Sequence, residues 1–93
     1  MLAKFPIDME KVEEEMTDCE IARLGMIAEL DAVNFYEQLA ANAVDEGLKN
    51  VLLDIAKEEK THVGEFQAML CKLDSEYEQE LVKGEKEADE LIE

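Results

Sequence analysis

The sequence has no tryptophan, a single proline and only four glycines among its 93 residues. This scarcity argues against a β fold with many turns, because such turns rely on Gly and Pro. Apolar residues make up 47% of the chain, too many for a disordered segment. We therefore predict one all-α domain over residues 1–93. A domain of this length buries only a modest core, so oligomerisation or a bound metal would reinforce it.

Basic residues are also few: nine Lys and Arg stand against 25 Asp and Glu, for a formal net charge of −16. Such a charge repels the phosphates of nucleic acids and of anionic membrane surfaces, so we expect neither as a partner. Cations are the natural ligands of so acidic a chain. Acidic helices also occur for solubility alone, which would explain most of the charge without a function.

The two cysteines, Cys19 and Cys71, are too few for a disulfide framework and fit a reducing compartment. The N-terminal residues contain no apolar run of the length found in a signal peptide. No apolar stretch of membrane-spanning length occurs either. We expect a soluble, cytoplasmic protein without a membrane segment.

Capping signals divide the chain into helices. Thr17 and Glu20 have the spacing of a capping box, and Asp45 is a suitable N-cap for the helix that follows it. Ser75 opens a second capping-box pattern. The short connection at Asp45 predicts an antiparallel two-helix hairpin, followed by a short C-terminal helix. The predicted segments are an N-terminal segment at 1–16 and helices at 17–44, 46–73 and 76–92.

The second predicted helix carries an apolar row that only Glu59 and His62 interrupt. A buried carboxylate without a partner is costly, so such a group is normally neutralised, paired or bound to a metal. The first predicted helix has one apolar face interrupted by Glu29 and a second partly apolar row, which points to packing against another chain. The row on the second helix is Leu48, Val51, Leu52, Ile55, Glu59, His62, Val63, Phe66, Met69/Leu70 and Leu73.

Glu29 and His62 lie equally far from the turn between the helices, about 25 Å along each axis. Glu59 lies about one helical turn nearer the loop. Two carboxylates and an imidazole suit iron or manganese better than structural zinc. Di-iron bundles use two such sets, so a homodimer of hairpins would complete both a four-helix bundle and a two-metal site.

Two alternatives to this ligand set remain open from the residues alone. Glu58 is a rival ligand, since it lies four residues before His62, although it is rotated away from the apolar row. Glu59 and His62 could also form a satisfied core pair while Glu29 reaches solvent.

Two segments resemble the encapsulated ferritins, ferritin-like proteins housed in encapsulin compartments. They are IAELDAVNFYE at 27–37 and EEKTHVGEF at 58–66, and the 30-residue gap from Glu29 to Glu59 matches the family's pattern. The resemblance extends over about residues 17–90. It implies that Glu29, Glu59 and His62 bind iron in a di-iron ferroxidase centre shared by two protomers. It further implies a ring of five dimers, a decamer, with the third helix helping to hold the ring.

The resemblance also implies roles for further residues, and the sequence differs from the family's pattern at some positions. Tyr36 matches the aromatic residue beside the family's metal site. The alternative is that Tyr36 is an ordinary core tyrosine with no role at the site. Members of the family can carry an acidic metal-entry site just outside the centre; Asp31 matches one of its positions, whereas the other is Ala28 here, and an entry role for Asp31 is a hypothesis. Cargo proteins of the family usually end in a short apolar targeting tail, whereas this sequence ends at Leu91-Ile92-Glu93. In some members the ferritin-like part is fused to the shell protein, so a free cargo protein and a domain of such a fusion are both open alternatives here.

We therefore expect a ferroxidase that oxidises Fe(II) to Fe(III) for iron storage inside an encapsulin nanocompartment. A rubrerythrin-like peroxide reductase or a manganese catalase could use the same scaffold, although the chain has no Cys-x-x-Cys pair to deliver electrons in the rubrerythrin manner. The non-enzymatic alternative is an acidic oligomerisation module or shell adaptor without a metal.

Overall fold

The computed structural model describes residues 17–92, and the predicted N-terminal segment at 1–16 lies outside them. Helix α1 spans Asp18–Asn42, α2 spans Glu46–Leu73 and α3 spans Ser75–Ile92. The described residues contain no strand, which confirms the all-α prediction. None of these helices is both long enough and apolar enough to cross a membrane.

The first two helices begin at the predicted caps. The Thr17 hydroxyl accepts the Glu20 N–H at 3.2 Å, and the Glu20 carboxylate accepts the Thr17 N–H at 3.4 Å, which completes the capping box. Asp45 Oδ2 accepts the Leu48 N–H at 2.8 Å and caps α2. The predicted end of α1 at residue 44 is two residues too late, because the backbone at Ala43 is already extended, with φ −70° and ψ 135°.

A single residue, Asp74, joins α2 to α3. Its N–H donates to the Leu70 carbonyl at 2.9 Å and ends α2, while its Oδ1 accepts the Tyr77 N–H at 3.1 Å and begins α3. The prediction that Ser75 caps α3 is therefore wrong by one residue, since Ser75 is already helical. Asp74 is the better cap here because its carboxylate also faces the positive end of the helix dipole.

The core of the α1–α2 hairpin is small. Its buried apolar side chains are Ala22, Ala32, Val33, Ala40, Ala56 and Leu70. Because most of these side chains are single methyl groups, the two helix backbones lie close together along this strip. The close approach brings short polar side chains on facing helices within reach of one another.

Many large apolar side chains of α1 and α2 stay exposed, because two helices cover only one narrow strip of each other. Leu30 on α1 is 53% exposed and Val51 on α2 is 56% exposed. Others are Ile21, Ile27, Leu39, Leu48, Leu53, Met69 and Leu73. Of the two other described helices, α3 packs against α2 and not against α1, and α3 has no buried residue. The chain is thin, 45 × 44 × 19 Å, as expected for one layer of helices.

Candidate metal centre

Three polar side chains meet in the middle of the hairpin. Glu29 lies near the centre of α1, while Glu59 and His62 lie one turn apart on one face of α2. The His62 Nδ1 is 3.4 Å from Glu29 Oε2 and 3.4 Å from Glu59 Oε2. One ligating atom from each of the three residues lies within 4.8 Å of the other two. The structure thus places these groups as one cluster.

The spacing of the cluster fits a bound cation. Ligand atoms about 2.1 Å from a common ion lie about 3.0–3.4 Å apart when they are neighbours in its coordination shell. The two contacts of His62 have this spacing. The mixed oxygen and nitrogen donors suit iron or manganese, as inferred above from the residue types.

Glu29 is the member of the cluster that the protein leaves unsatisfied. Its Oε2 is buried and has no hydrogen-bond partner. The contact to His62 at 3.4 Å is longer than a normal N–H···O hydrogen bond and does not satisfy this oxygen. An unpartnered buried acceptor costs about 1–3 kcal/mol, and more when it is charged. A cation at the cluster would supply the missing partner of the Glu29 oxygen. It would also offset the electrostatic repulsion between the carboxylates of Glu29 and Glu59.

The cluster is open on one side. The side chains of Glu29 and Glu59 are 22% and 19% exposed, whereas that of His62 is 44% exposed. Three protein atoms also leave several positions of an octahedral ion to other ligands. The exposed side therefore has room for ligands from solvent, from an oxidant or from a second copy of the chain.

The other predicted site residues lie outside this cluster. Glu58 is exposed, whereas its neighbour Glu59 is half-buried and faces Glu29. Asp31 is half-buried and is not among the clustered groups. Tyr36 lies about 10 Å along α1 from Glu29. Its ring meets that of Phe35 edge-to-face at 5.1 Å between centroids.

Sequence reasoning did not find a contact one turn beyond the cluster, between Gly25 on α1 and Phe66 on α2. A Cβ atom at Gly25 would lie 2.6 Å from two carbon atoms of the Phe66 ring. An isolated glycine inside a predicted helix often has a packing reason, so Gly25 was a partial signal, but the sequence does not identify Phe66 as its partner.

The sequence of the chain is similar to those of known proteins. The sequence model of the family described as EncFtn-like matches residues 5–83. A ferritin-like-encapsulin shell fusion protein of Pyrococcus furiosus is 51% identical over 84 residues, covering 90% of this chain and 24% of that protein. The encapsulin nanocompartment cargo protein EncC of Myxococcus xanthus is 37% identical over 68 residues, covering 70% of this chain and 52% of that protein.

The fold matches a solved structure as well. The crystal structure of the encapsulated ferritin domain from Pyrococcus furiosus superposes with a TM-score of 0.77 at 46% identity. The match covers 99% of this chain and 88% of that domain. The chain spans about a quarter and about half of the two full-length relatives. Because the family match covers most of the sequence, the chain belongs to the EncFtn-like family of encapsulated ferritins.

Proposed function

We propose that this chain is a ferroxidase that oxidises Fe(II) to Fe(III) at a di-iron site shared by two copies. The observation that carries the proposal is the unsatisfied, buried Glu29 oxygen beside Glu59 and His62. Each copy would supply one Glu29 and one Glu59-x-x-His62 set. Two copies then supply the ligands of a two-metal carboxylate centre.

In this proposal iron is the substrate. Two ferrous ions bind and each gives one electron to an oxidant, either dioxygen, which becomes peroxide, or peroxide, which becomes water. The carboxylates of Glu29 and Glu59 stabilise the higher charge of the ferric ions. The imidazole of His62 must be neutral to bind an iron ion, and as a ligand it fixes the position of that ion on the hairpin. Asp31 as a residue that guides incoming metal, and Tyr36 as the aromatic neighbour of the centre, belong to the same proposal.

Assembly is part of the proposed function. Pairing two hairpins into a four-helix bundle would cover the apolar residues that α1 and α2 leave exposed, such as Leu30 and Val51. A ring of five dimers, held in part by α3, and storage of the ferric product inside an encapsulin shell extend the proposal. The relatives named as shell fusion and cargo proteins support this extension.

The experiment compares two adjacent glutamates. Glu59→Gln and Glu58→Gln make the same chemical change on neighbouring residues, but only Glu59 belongs to the cluster. We expect Glu59→Gln to slow aerobic Fe(II) oxidation by more than about 100-fold, because a direct ligand should matter at least as much as its supporting groups. Glu58→Gln should keep the wild-type rate.

Ferric absorbance measures the rate under conditions in which circular dichroism shows equal helix content. Equal rates for both variants would overturn the site assignment. Wild-type protein that forms no ferric product above the buffer rate would favour an acidic oligomerisation module without a metal. Comparing iron oxidation with peroxide disproportionation separates the ferroxidase from a manganese catalase.

A further inference from the structure

The ring of Phe66 on α2 rests directly on the backbone of Gly25 on α1. A Cβ atom at Gly25 would lie 2.6 Å from Cε1, 2.6 Å from Cζ and 2.9 Å from Cδ1 of that ring. All three distances are far below the normal separation of about 3.5–4.0 Å between carbon atoms. The two helices therefore approach at this level only because residue 25 has no side chain.

This contact is the next facing pair after the metal cluster. Four residues back from Glu29 on α1 is Gly25, and four residues on from His62 on α2 is Phe66. In an antiparallel hairpin both steps lead one helical turn toward the open end. The Gly25–Phe66 contact and the Glu29–His62 contact thus lie on consecutive levels of the same strip. On the loop side, the buried Val33 and Ala56 hold the helices together.

The distance between the helices at Gly25 therefore influences the distance between Glu29 and His62. Ligand groups on two separate helices meet only if those helices keep a fixed spacing, and metal sites tolerate errors of about 0.5 Å. The Glu29–His62 contact of 3.4 Å would lengthen if the helices moved apart one turn away.

We propose that Gly25 and Phe66 are positioning residues that set the helix separation needed for Glu29 to share a metal ion with Glu59 and His62. The inference rests on the proposed metal-binding function. It assigns no contact with the ion to either residue. Gly25 provides the close approach, and the flat ring of Phe66 fills the space above it.

The test is Gly25→Ala in the full chain. The new methyl group meets three atoms of one ring edge, so a relief of about 1 Å is required to reach normal contact. We expect the helices to separate and the affinity for Co²⁺ to fall roughly 10- to 100-fold, the range seen when groups supporting a metal ligand are altered. Anaerobic Co²⁺ titration, followed by the visible spectrum of the bound ion, measures affinity and geometry without turnover.

Gly64→Ala is the matched control. Gly64 lies on the same hairpin, two residues from His62, and a Cβ atom there would meet nothing within 4 Å. Both substitutions gain the same intrinsic helix propensity, so their difference reports the contact with Phe66 alone. Gly64→Ala should bind Co²⁺ like the wild type with an unchanged spectrum.

The double variant Gly25→Ala with Phe66→Leu separates positioning from general damage. Leucine lacks the ring edge that opposes the new methyl group, so the helices can return to their spacing. We expect Co²⁺ affinity to recover to within about threefold of the wild type, as residues in direct contact show strong coupling. A merely destabilised protein would not regain affinity when a second residue between the helices is made smaller.

The outcomes distinguish this inference from the function on which it rests. Wild-type protein that binds Co²⁺ tightly and loses it in Glu59→Gln supports the proposed site. If Gly25→Ala then binds as tightly as Gly64→Ala, the positioning role is wrong while the site stands. If the wild type and Glu59→Gln bind Co²⁺ equally, the proposed site itself fails and the positioning role fails with it.

Discussion

Within residues 17–92, the α1–α2 hairpin buries six apolar side chains, whereas α3 buries none and contacts α2 but not α1. Both regions are helical and both have apolar residues, but among the described residues only the hairpin has buried apolar side chains. Val82, Leu91 and Ile92 on α3 are 63%, 84% and 79% exposed. The hairpin is thus the part that maintains its own geometry, and α3 has apolar surface that the described helices α1 and α2 leave uncovered.

The hairpin and α3 also differ in the positions of their acidic side chains. The carboxylates of α3 lie on exposed residues, where water solvates them. Glu29 and Glu59 instead interrupt the strip between two helices, where a charge destabilises the metal-free fold. Carboxylates between the two helices lower the stability of a chain with so small a core, and such a cost is common at functional sites.

The largest expected contrast uses the same change in both regions. Leu70 is 0% exposed and Leu91 is 84% exposed. Leu70→Ala should reduce the free energy of unfolding by about 2–5 kcal/mol, because it empties the one large buried site of the hairpin. Leu91→Ala should change it by less than about 0.5 kcal/mol. Urea denaturation of the metal-free protein at low concentration measures both, and equal losses would show that α3 is as covered as the core.

A medium effect of opposite sign is expected at Glu29. Glu29→Leu removes an unsatisfied buried oxygen and the charge beside Glu59, so the metal-free protein should gain about 1–3 kcal/mol of stability. The same variant should lose the rise in melting temperature that Co²⁺ gives the wild type. Glu58→Leu, at an exposed position, is the control. A Glu29→Leu protein that is less stable without metal would mean that Glu29 is satisfied by the fold itself.

The smallest effect tests the junction between the two regions. Asp74→Ala removes the side-chain cap on the Tyr77 N–H and should cost about 1 kcal/mol, expressed mainly in α3. Amide hydrogen exchange should quicken in the first turn of α3 and stay unchanged around Ala56 in the hairpin. Asp89→Ala, an exposed substitution within α3, should leave both regions as they are. Faster exchange throughout the hairpin would show that α3 supports it.

The starts of α1 and α2 and the polar cluster were predictable from the sequence, because both depend on the spacing of residues along the chain. The caps at Thr17 and Asp45 follow from side chains that reach backbone groups three residues away, and the structure has both. The meeting of Glu29 with His62 follows from their equal distances from a short turn. Predicting the caps and the meeting of Glu29 with His62 does not require knowing how tightly the helices pack.

The remaining features depend on that packing and could not be read from the pattern. Ala56 is 1% exposed, although its small side chain contributes little to an apolar row. Leu48 and Met69 belong to the predicted row but are 51% and 50% exposed, since a pair of helices covers a strip narrower than the row. The contact between Gly25 and Phe66 depends on the separation and rotation of the helices. Residue types alone specify neither quantity.

The central claim is that Glu29, Glu59 and His62 form half of an iron site that a second copy completes. Diffraction from iron-soaked crystals of the full chain, recorded at the iron absorption edge, tests this most directly. We expect two anomalous peaks between two hairpins, from iron ions bound by these three residues of both copies. No peak at these residues, or an ion whose protein ligands all come from one chain, would contradict it.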